Sequence, residues 1–140
     1  MENKVIEVVA AVIEKNGSIL ATQRGYGDFK DKWEFPGGKI EAGESREEAL
    51  IREIKEELHA SIKVCDYLVT TEYDYPKFHL IMHAYLCTLV DNYEFVYHSD
   101  SELEHENMVW LDTDNLDYLD WLPADIAIVD AYKKLKRVKG

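Results

Sequence analysis

The sequence has few of the residues that mark secreted, disulfide-stapled or membrane-spanning proteins. Its two cysteines, Cys65 and Cys87, are too few for a disulfide framework or a cysteine-based zinc site. No apolar run reaches the roughly 18 residues that a membrane-spanning helix requires. The first residues lack the charged start, apolar middle and small-residue cleavage site of a signal peptide. These absences predict a cytoplasmic protein with two free thiols.

Basic residues are missing from a long stretch near the C-terminus. The chain carries 28 acidic and 16 basic residues, a net charge of −12 at pH 7. Residues 91–130 hold 12 of the acids and no Lys or Arg, whereas the last ten residues hold five Lys or Arg. DNA, RNA and anionic membranes bind basic faces, so we expect neither a nucleic-acid polymer nor a membrane as partner. Most acids of 91–130 are interpreted as solvated surface.

The length of 140 residues fits one domain, 1–140, with a fold that mixes strands and helices. Apolar and β-branched runs predict strands at 5–13, 19–24, 33–35, 62–71, 78–90 and 108–111. Asn16-Gly17 predicts a hairpin turn and Asp74 to Lys77 predicts a further turn. Pro36-Gly37-Gly38 predicts a sharp turn that breaks the strand at 33–35. Helical spacing is found after Ser45 and over about 125–137. The predicted fold class is α+β, a sandwich of helices on a sheet.

The helix after Ser45 carries three glutamates on one face. Ser45 and Glu48 form a capping-box pattern at its start. Glu53, Glu56 and Glu57 follow at spacings of three and four, where like charges repel by a few tenths of a kcal/mol per pair. Such carboxylates suit a hard divalent cation, Mg²⁺ or Mn²⁺. A solvated acidic face is the alternative interpretation of these three residues alone.

The surrounding residues extend this pattern. Gly38 is followed by five residues, Glu44, seven residues, Arg52-Glu53-Ile54, one residue and Glu56-Glu57. This resembles the signature of the Nudix hydrolases, here spanning 38–60. The flanking segments, Thr22-Gln23-Arg24 and Trp33 to Lys39 upstream and Leu122 to Ile126 downstream, resemble the MutT-type branch. One departure is His59, which stands where the family has a helix-ending Gly.

The resemblance implies an α/β/α sandwich with a mixed sheet between helices, and Mg²⁺-dependent hydrolysis of a nucleoside triphosphate to monophosphate and pyrophosphate. It implies a metal site formed by Gly37, Gly38, Glu53, Glu56, Glu57 and Glu104. Glu53 and Glu104 are the alternative general bases, and Arg52 and Glu44 orient the carboxylates. Arg24 and Lys39 are expected to contact phosphates. A small triphosphate that arrives with its own Mg²⁺ is compatible with the acidic composition.

Asp125 is the residue predicted to bear on the base. By resemblance it faces the base, where an Asn would suit an oxidised guanine, and the segment from Glu104 to Ile126 is most similar to the CTP and modified-dCTP pyrophosphohydrolases. Capping of the last helix is the alternative role of Asp125. Phe35, Phe78 and Tyr75 are candidates for stacking, with ordinary packing as the alternative.

Cytosine or modified-cytosine triphosphates are therefore the expected substrates, with oxidised-guanine triphosphates second. Two further hypotheses come from other classes: a Nudix nucleotide-binding module without catalysis, and an acidic scaffold protein. The expected assembly is a monomer or a homodimer.

Overall fold

The computed structural model describes residues 4–25, 27, 29–90 and 105–139. Along the chain these form strands β1 (Lys4–Lys15), β2 (Ser18–Arg24), β3 (Trp33–Glu34) and β4 (Gly37–Lys39), helix α1 (Arg46–Leu58), strands β5 (Ile62–Tyr75), β6 (Phe78–Leu89) and β7 (His105–Asp112), a 3-10 helix (Thr113–Tyr118) and helix α2 (Pro123–Lys139). Glu104, predicted as a metal ligand or general base, lies outside the described residues.

Strand β1 organises a mixed sheet. It pairs in parallel with β6 along ten residue pairs, Lys4↔Phe78 to Ile13↔Cys87, and antiparallel with β4 and the start of β2. β5 completes one side by antiparallel pairing with β6, and β3 and β7 pair antiparallel with β2. β1 therefore lies in the middle of the sheet, with β6 and β5 on one side and β2 and β3 on the other.

The two faces of the sheet bury separate apolar clusters. Alternate side chains of β1 point to opposite faces, because successive residues of a strand alternate. Val9, Ala11 and Ile13 pack with Ala49, Leu50, Ile54 and Leu58 of α1. Ala10 and Val12 belong to the cluster of Ile128, Val129 and Tyr132 of α2. A mixed sheet lies between two helices, which confirms the predicted α/β/α sandwich.

Helix α1 begins and ends at identifiable caps. Ser45 and Glu48 exchange the two hydrogen bonds of a capping box, as their spacing predicts. His59 ends the helix at φ 56° and ψ 29°, and its N–H donates to the carbonyl of Lys55. The helix therefore ends in the left-handed conformation that a Gly would adopt there, with a His in its place.

Two local predictions need correction. The segment Pro36–Gly38, expected to be a turn, enters strand β4, where Ala10↔Gly37 and Val9↔Gly38 pair with β1. A Cβ on Gly37 would lie 1.9 Å from the carbonyl oxygen of Val9, so only Gly permits this pairing. The turn expected at 74–77 is limited to Pro76 and Lys77, because β5 continues to Tyr75. Across the described residues, neither helix is both long and apolar enough to cross a membrane.

Candidate active site

A cavity of about 540 Å³ opens where β1, β4, α1, the β5–β6 hairpin and the start of α2 meet. We call one part of its wall the acidic end and another the aromatic end. The acidic end is formed by Gly37, Gly38, Lys39, Glu41, Glu53 and Glu57. The aromatic end is formed by Phe29, Phe35, Tyr75, Phe78, Leu122 and Asp125. Arg24 and Glu34 also line the cavity.

The acidic end depends on the close approach of α1 to β4. A Cβ on Gly38 would lie 2.3 Å from the carboxyl carbon of Glu53. Only a residue without a side chain therefore allows this carboxylate to rest against the strand. The Glu53 side chain is 15% exposed, so it is held at the cavity wall rather than in open solvent.

Arg52 holds the carboxylates of this end in place. Its guanidinium donates two hydrogen bonds to Glu44, of 2.7 and 3.0 Å, and others to Glu53 (2.9 Å), Glu56 (3.2 Å) and the Lys39 carbonyl (3.0 Å). The bonds from Arg52 lower the pKa of Glu44 below its ordinary value and keep it ionised. These contacts are compatible with the orienting role expected from the sequence for Arg52 and Glu44, and that role stays a prediction.

The predicted metal ligands are only partly brought together. Glu53 and Glu57 line the cavity, whereas the Glu56 side chain is 61% exposed and bonded to Arg52. Among the residues that the structure describes, no three His, Cys, Asp or Glu side chains form a preassembled metal cluster. The oxygen donors of Glu53 and Glu57 beside the glycine backbone nevertheless fit a hard divalent cation in donor type.

Asp125 lies at the aromatic end, and its carboxyl group does not face solvent. The residue is 3% exposed, and Oδ2 accepts a 2.9 Å hydrogen bond from the backbone N–H of Phe35. Burial, and then the negative charge of Glu34, raise its pKa well above the ordinary value for Asp. Asp125 stands in the first turn of α2, but this bond reaches across to the end of β3. The structure thus directs the carboxyl group to the cavity wall.

Aromatic rings line the same end of the cavity as this carboxyl group. Tyr75 and Phe78 stack with ring centroids 5.1 Å apart, and Phe29 meets Tyr75 edge-on at 5.2 Å. Phe35 is stacked on Trp121 at 4.7 Å, so one of its faces is already covered. The Tyr75 hydroxyl accepts from the N–H of Ala124, and burial raises its pKa to about 12.

All five predicted substrate-binding residues line the cavity: Arg24, Lys39, Phe35, Phe78 and Asp125. The sequence interpretation did not include Glu34 and Phe29, which line it too. Glu34 could have been predicted from the sequence, because it directly precedes the candidate Phe35 and its negative charge complements the candidate Arg24. No sequence signal distinguishes Phe29, which enters the wall from a loop.

Comparisons with known proteins agree with this architecture. Residues 4–132 match the NUDIX domain. The chain is 34% identical to the CTP pyrophosphohydrolase of Escherichia coli K12 over 97% of each chain. It is 37% identical to the 8-oxo-dGTP diphosphatase of Proteus vulgaris over 63% of this chain and 80% of that one.

Solved structures give the same result. The E. coli ORF135 protein superimposes with a TM-score of 0.78 at 34% identity, covering 96% of this chain and 92% of that one. A MutT protein of methicillin-resistant Staphylococcus aureus 252 gives a TM-score of 0.68 at 35% identity, covering 99% and 100%. The chain therefore belongs to the Nudix hydrolase family.

Proposed function

We propose that the protein hydrolyses nucleoside triphosphates to a nucleoside monophosphate and pyrophosphate, and that it favours cytosine or a modified cytosine. The observation that supports this proposal most is the buried carboxyl group of Asp125 at the aromatic end of a cavity whose other end is lined by carboxylates. Such a cavity suits a ligand with a flat base at one end and metal-bound phosphates at the other.

The acidic end supplies the groups for phosphate chemistry. Nudix hydrolases generally use a divalent metal, and Mg²⁺ when bound supplies neutralising charge for the phosphates and the leaving group. Glu53 and Glu57 would hold it, with Glu56 and the Gly37 or Gly38 carbonyl as further predicted ligands. Glu53 and Glu104 are the candidate general bases. The base is the one whose carboxylate lies within hydrogen-bond reach of the attacking water. Arg52 fixes the Glu53 carboxylate in one orientation.

The aromatic end supplies base recognition. The raised pKa of Asp125 favours a neutral carboxyl group, and the bond from the Phe35 N–H to Oδ2 supports Oδ2 as its acceptor and Oδ1 as its O–H donor. A neutral Asp125 thus presents a donor beside an acceptor. Cytosine presents the complement, a ring-nitrogen acceptor beside an amino donor, whereas uracil presents the reverse order. The 34% identity to a CTP pyrophosphohydrolase over nearly the whole chain supports this choice.

An oxidised-guanine triphosphate is the second candidate. Its five-membered ring carries an N–H donor beside the carbonyl acceptor, which a neutral carboxyl group also complements. Relatives named 8-oxo-dGTP diphosphatase match half or more of the chain at 33–41% identity, which supports this candidate.

The test is a panel of triphosphates with Mg²⁺, in which pyrophosphate release is measured for CTP, 5-substituted dCTP, UTP, dGTP and 8-oxo-dGTP. We expect the highest kcat/KM for the cytosine nucleotides. A preference for 8-oxo-dGTP over every cytosine nucleotide of the panel by more than about tenfold, or 1.4 kcal/mol, would establish the second candidate instead. Hydrolysis of ADP-ribose but of no triphosphate would overturn the proposal. Binding of CTP without its hydrolysis would establish a binding module.

A further inference from the structure

Arg24 is not presented to the cavity as an isolated cation. Its Nε and Nη2 donate to the two carboxylate oxygens of Glu34, at 3.1 and 3.0 Å. Their side chains are 35% and 15% exposed, so the pair is partly shielded from water. A fork of two parallel bonds is geometrically more specific than a single ionic contact. Thr22 of β2 pairs with Glu34 of β3, so Arg24 and Glu34 lie close together on neighbouring strands.

This pair lies next to the group that supports Asp125. Glu34 directly precedes Phe35, whose N–H binds Asp125 Oδ2. The charges of Glu34 and Arg24 both act on the pKa of Asp125, in opposite directions. The described contacts of Arg52, by contrast, are with Glu41, Glu44, Glu53, Glu56 and the Lys39 carbonyl at the other end. The two arginines therefore organise different ends of one cavity.

We propose that Arg24 is a positioning residue for base discrimination, which acts through Glu34 on Phe35 and Asp125, rather than a phosphate-binding residue. The Arg24–Glu34 fork fixes the end of β3, and with it the direction of the Phe35 N–H. That N–H determines which oxygen of Asp125 accepts, and hence which order of donor and acceptor the base must present. This inference rests on the proposed nucleotide-hydrolase function and replaces the phosphate contact that the family resemblance implies for Arg24.

The two roles predict different effects of removing the Glu34 charge. If Arg24 bound phosphates, loss of the Glu34 charge would remove an anion that competes for its guanidinium and strengthen binding of inorganic tripolyphosphate. If Arg24 positions the base-binding wall, loss of Glu34 reduces base discrimination and leaves tripolyphosphate binding unchanged. The variants are Arg24→Ala, Arg24→Lys, Glu34→Gln and the Arg24→Ala/Glu34→Gln double variant. Lys39→Ala is the matched control, because Lys39 lines the acidic end.

The readouts are kcat/KM for CTP and UTP, inhibition by tripolyphosphate, and equilibrium binding of CMP and UMP. We expect each single variant to lower the CTP/UTP ratio about tenfold, the effect of one misplaced hydrogen bond to a charged or buried group. We expect the double variant to be no worse than either single one, because the two residues act as a unit. Tripolyphosphate inhibition should stay within about twofold of wild type in these variants, and weaken in Lys39→Ala.

Arg24→Lys keeps the charge but not the fork, so it should also lose discrimination. The inference is overturned if Arg24→Ala weakens CTP, UTP and tripolyphosphate equally and Arg24→Lys restores them, or if Glu34→Gln strengthens tripolyphosphate inhibition. It is also overturned if the folded variants, verified by thermal melting, keep the wild-type CTP/UTP ratio. Wild-type turnover tests the proposed function separately, and a CMP/UMP binding ratio that Arg24→Ala lowers would support the inference even without turnover.

Discussion

The acidic and aromatic ends of the cavity are built in different ways. The carboxylates Glu53, Glu56 and Glu57 come from one helix, and Arg52 on the same helix bonds two of them. The aromatic end is assembled from the loop before β3, the end of β3, the β5–β6 hairpin and the start of α2. Local sequence spacing thus specifies the first end, and tertiary packing specifies the second.

The two ends also treat carboxyl groups in opposite ways. Hydrogen bonds from Arg52 lower the pKa of Glu44, which favours the charged form. Burial, and then the negative charge of Glu34, raise the pKa of Asp125 and favour the neutral form. A charged end suited to a cation and a neutral end suited to a base are therefore produced from the same residue types by different surroundings.

The largest expected effect comes from breaking the acidic end at Glu53. Glu53→Gln keeps the size of the side chain but removes a proposed metal ligand and candidate base. We expect kcat to fall by at least about 100-fold, the usual loss for one general base, while CTP still binds. Pyrophosphate release and nucleotide binding measure the two effects. Glu47→Gln, an exposed substitution in the first turn of the same helix, should leave kcat unchanged. Wild-type kcat in Glu53→Gln would disprove this site.

Substitutions at the two glycines of β4 are expected to separate effects on activity from effects on stability. Gly38→Ala places a Cβ 2.3 Å from the Glu53 carboxyl carbon, and this side chain must move to admit it. We expect kcat to fall by roughly tenfold or more, because a misplaced carboxylate loses its productive geometry. Gly37→Ala instead places its Cβ 1.9 Å from the backbone oxygen of Val9, which cannot turn aside.

Thermal unfolding and kcat should therefore separate the two variants. Gly37→Ala should lower Tm more, and Gly38→Ala should lose more activity per degree of Tm lost. Equal losses of Tm and kcat in both variants would show that the glycines serve packing alone.

The aromatic end can be tested through the pH dependence of stability. Because the pKa of Asp125 is raised in the folded state, the native protein binds more protons than the unfolded chain above about pH 4, the ordinary Asp pKa. Its free energy of unfolding therefore decreases as pH rises from there through the raised pKa. Asp125→Asn cannot ionise, so we expect this variant to gain stability relative to wild type as pH increases.

The Asn side chain tests base recognition as well. Its carbonyl still accepts from the Phe35 N–H and its amide donates where the neutral carboxyl group would, so the CTP/UTP preference should persist. Asp125→Leu should lose it. Parallel pH–stability curves for wild type and Asp125→Asn would contradict a raised pKa at this position.

The sequence predicted the acidic end and much of the fold because both depend on residue spacings that are short along the chain. Helix spacing placed the three glutamates on one face, and the Ser45–Glu48 pattern located the start of α1. Pairing of Gly37 and Gly38 with β1 was missed because it depends on a clearance of ångströms against Val9 and Glu53.

Contacts between segments that are distant in the chain could not be predicted from the sequence, because they also depend on packing in the folded chain. The bond from Phe35 to Asp125 joins residues 90 positions apart, and the choice between helix cap and cavity wall required the folded chain. Membership of the Nudix family was confirmed, whereas the roles of the individual site residues stay predictions.

The smallest expected effect lies outside both ends, at His59. This residue ends α1 with φ 56°, a conformation that costs a residue with a Cβ about 1–2 kcal/mol and costs Gly little. We expect His59→Gly to raise the free energy of unfolding by about 1 kcal/mol. Denaturant unfolding measures this change. The CTP/UTP ratio and kcat should not change, because His59 does not line the cavity. His59→Ala is the control, since it keeps the Cβ and should bring no gain; a gain as large as that of His59→Gly would show that the imidazole, not the backbone, is the cost.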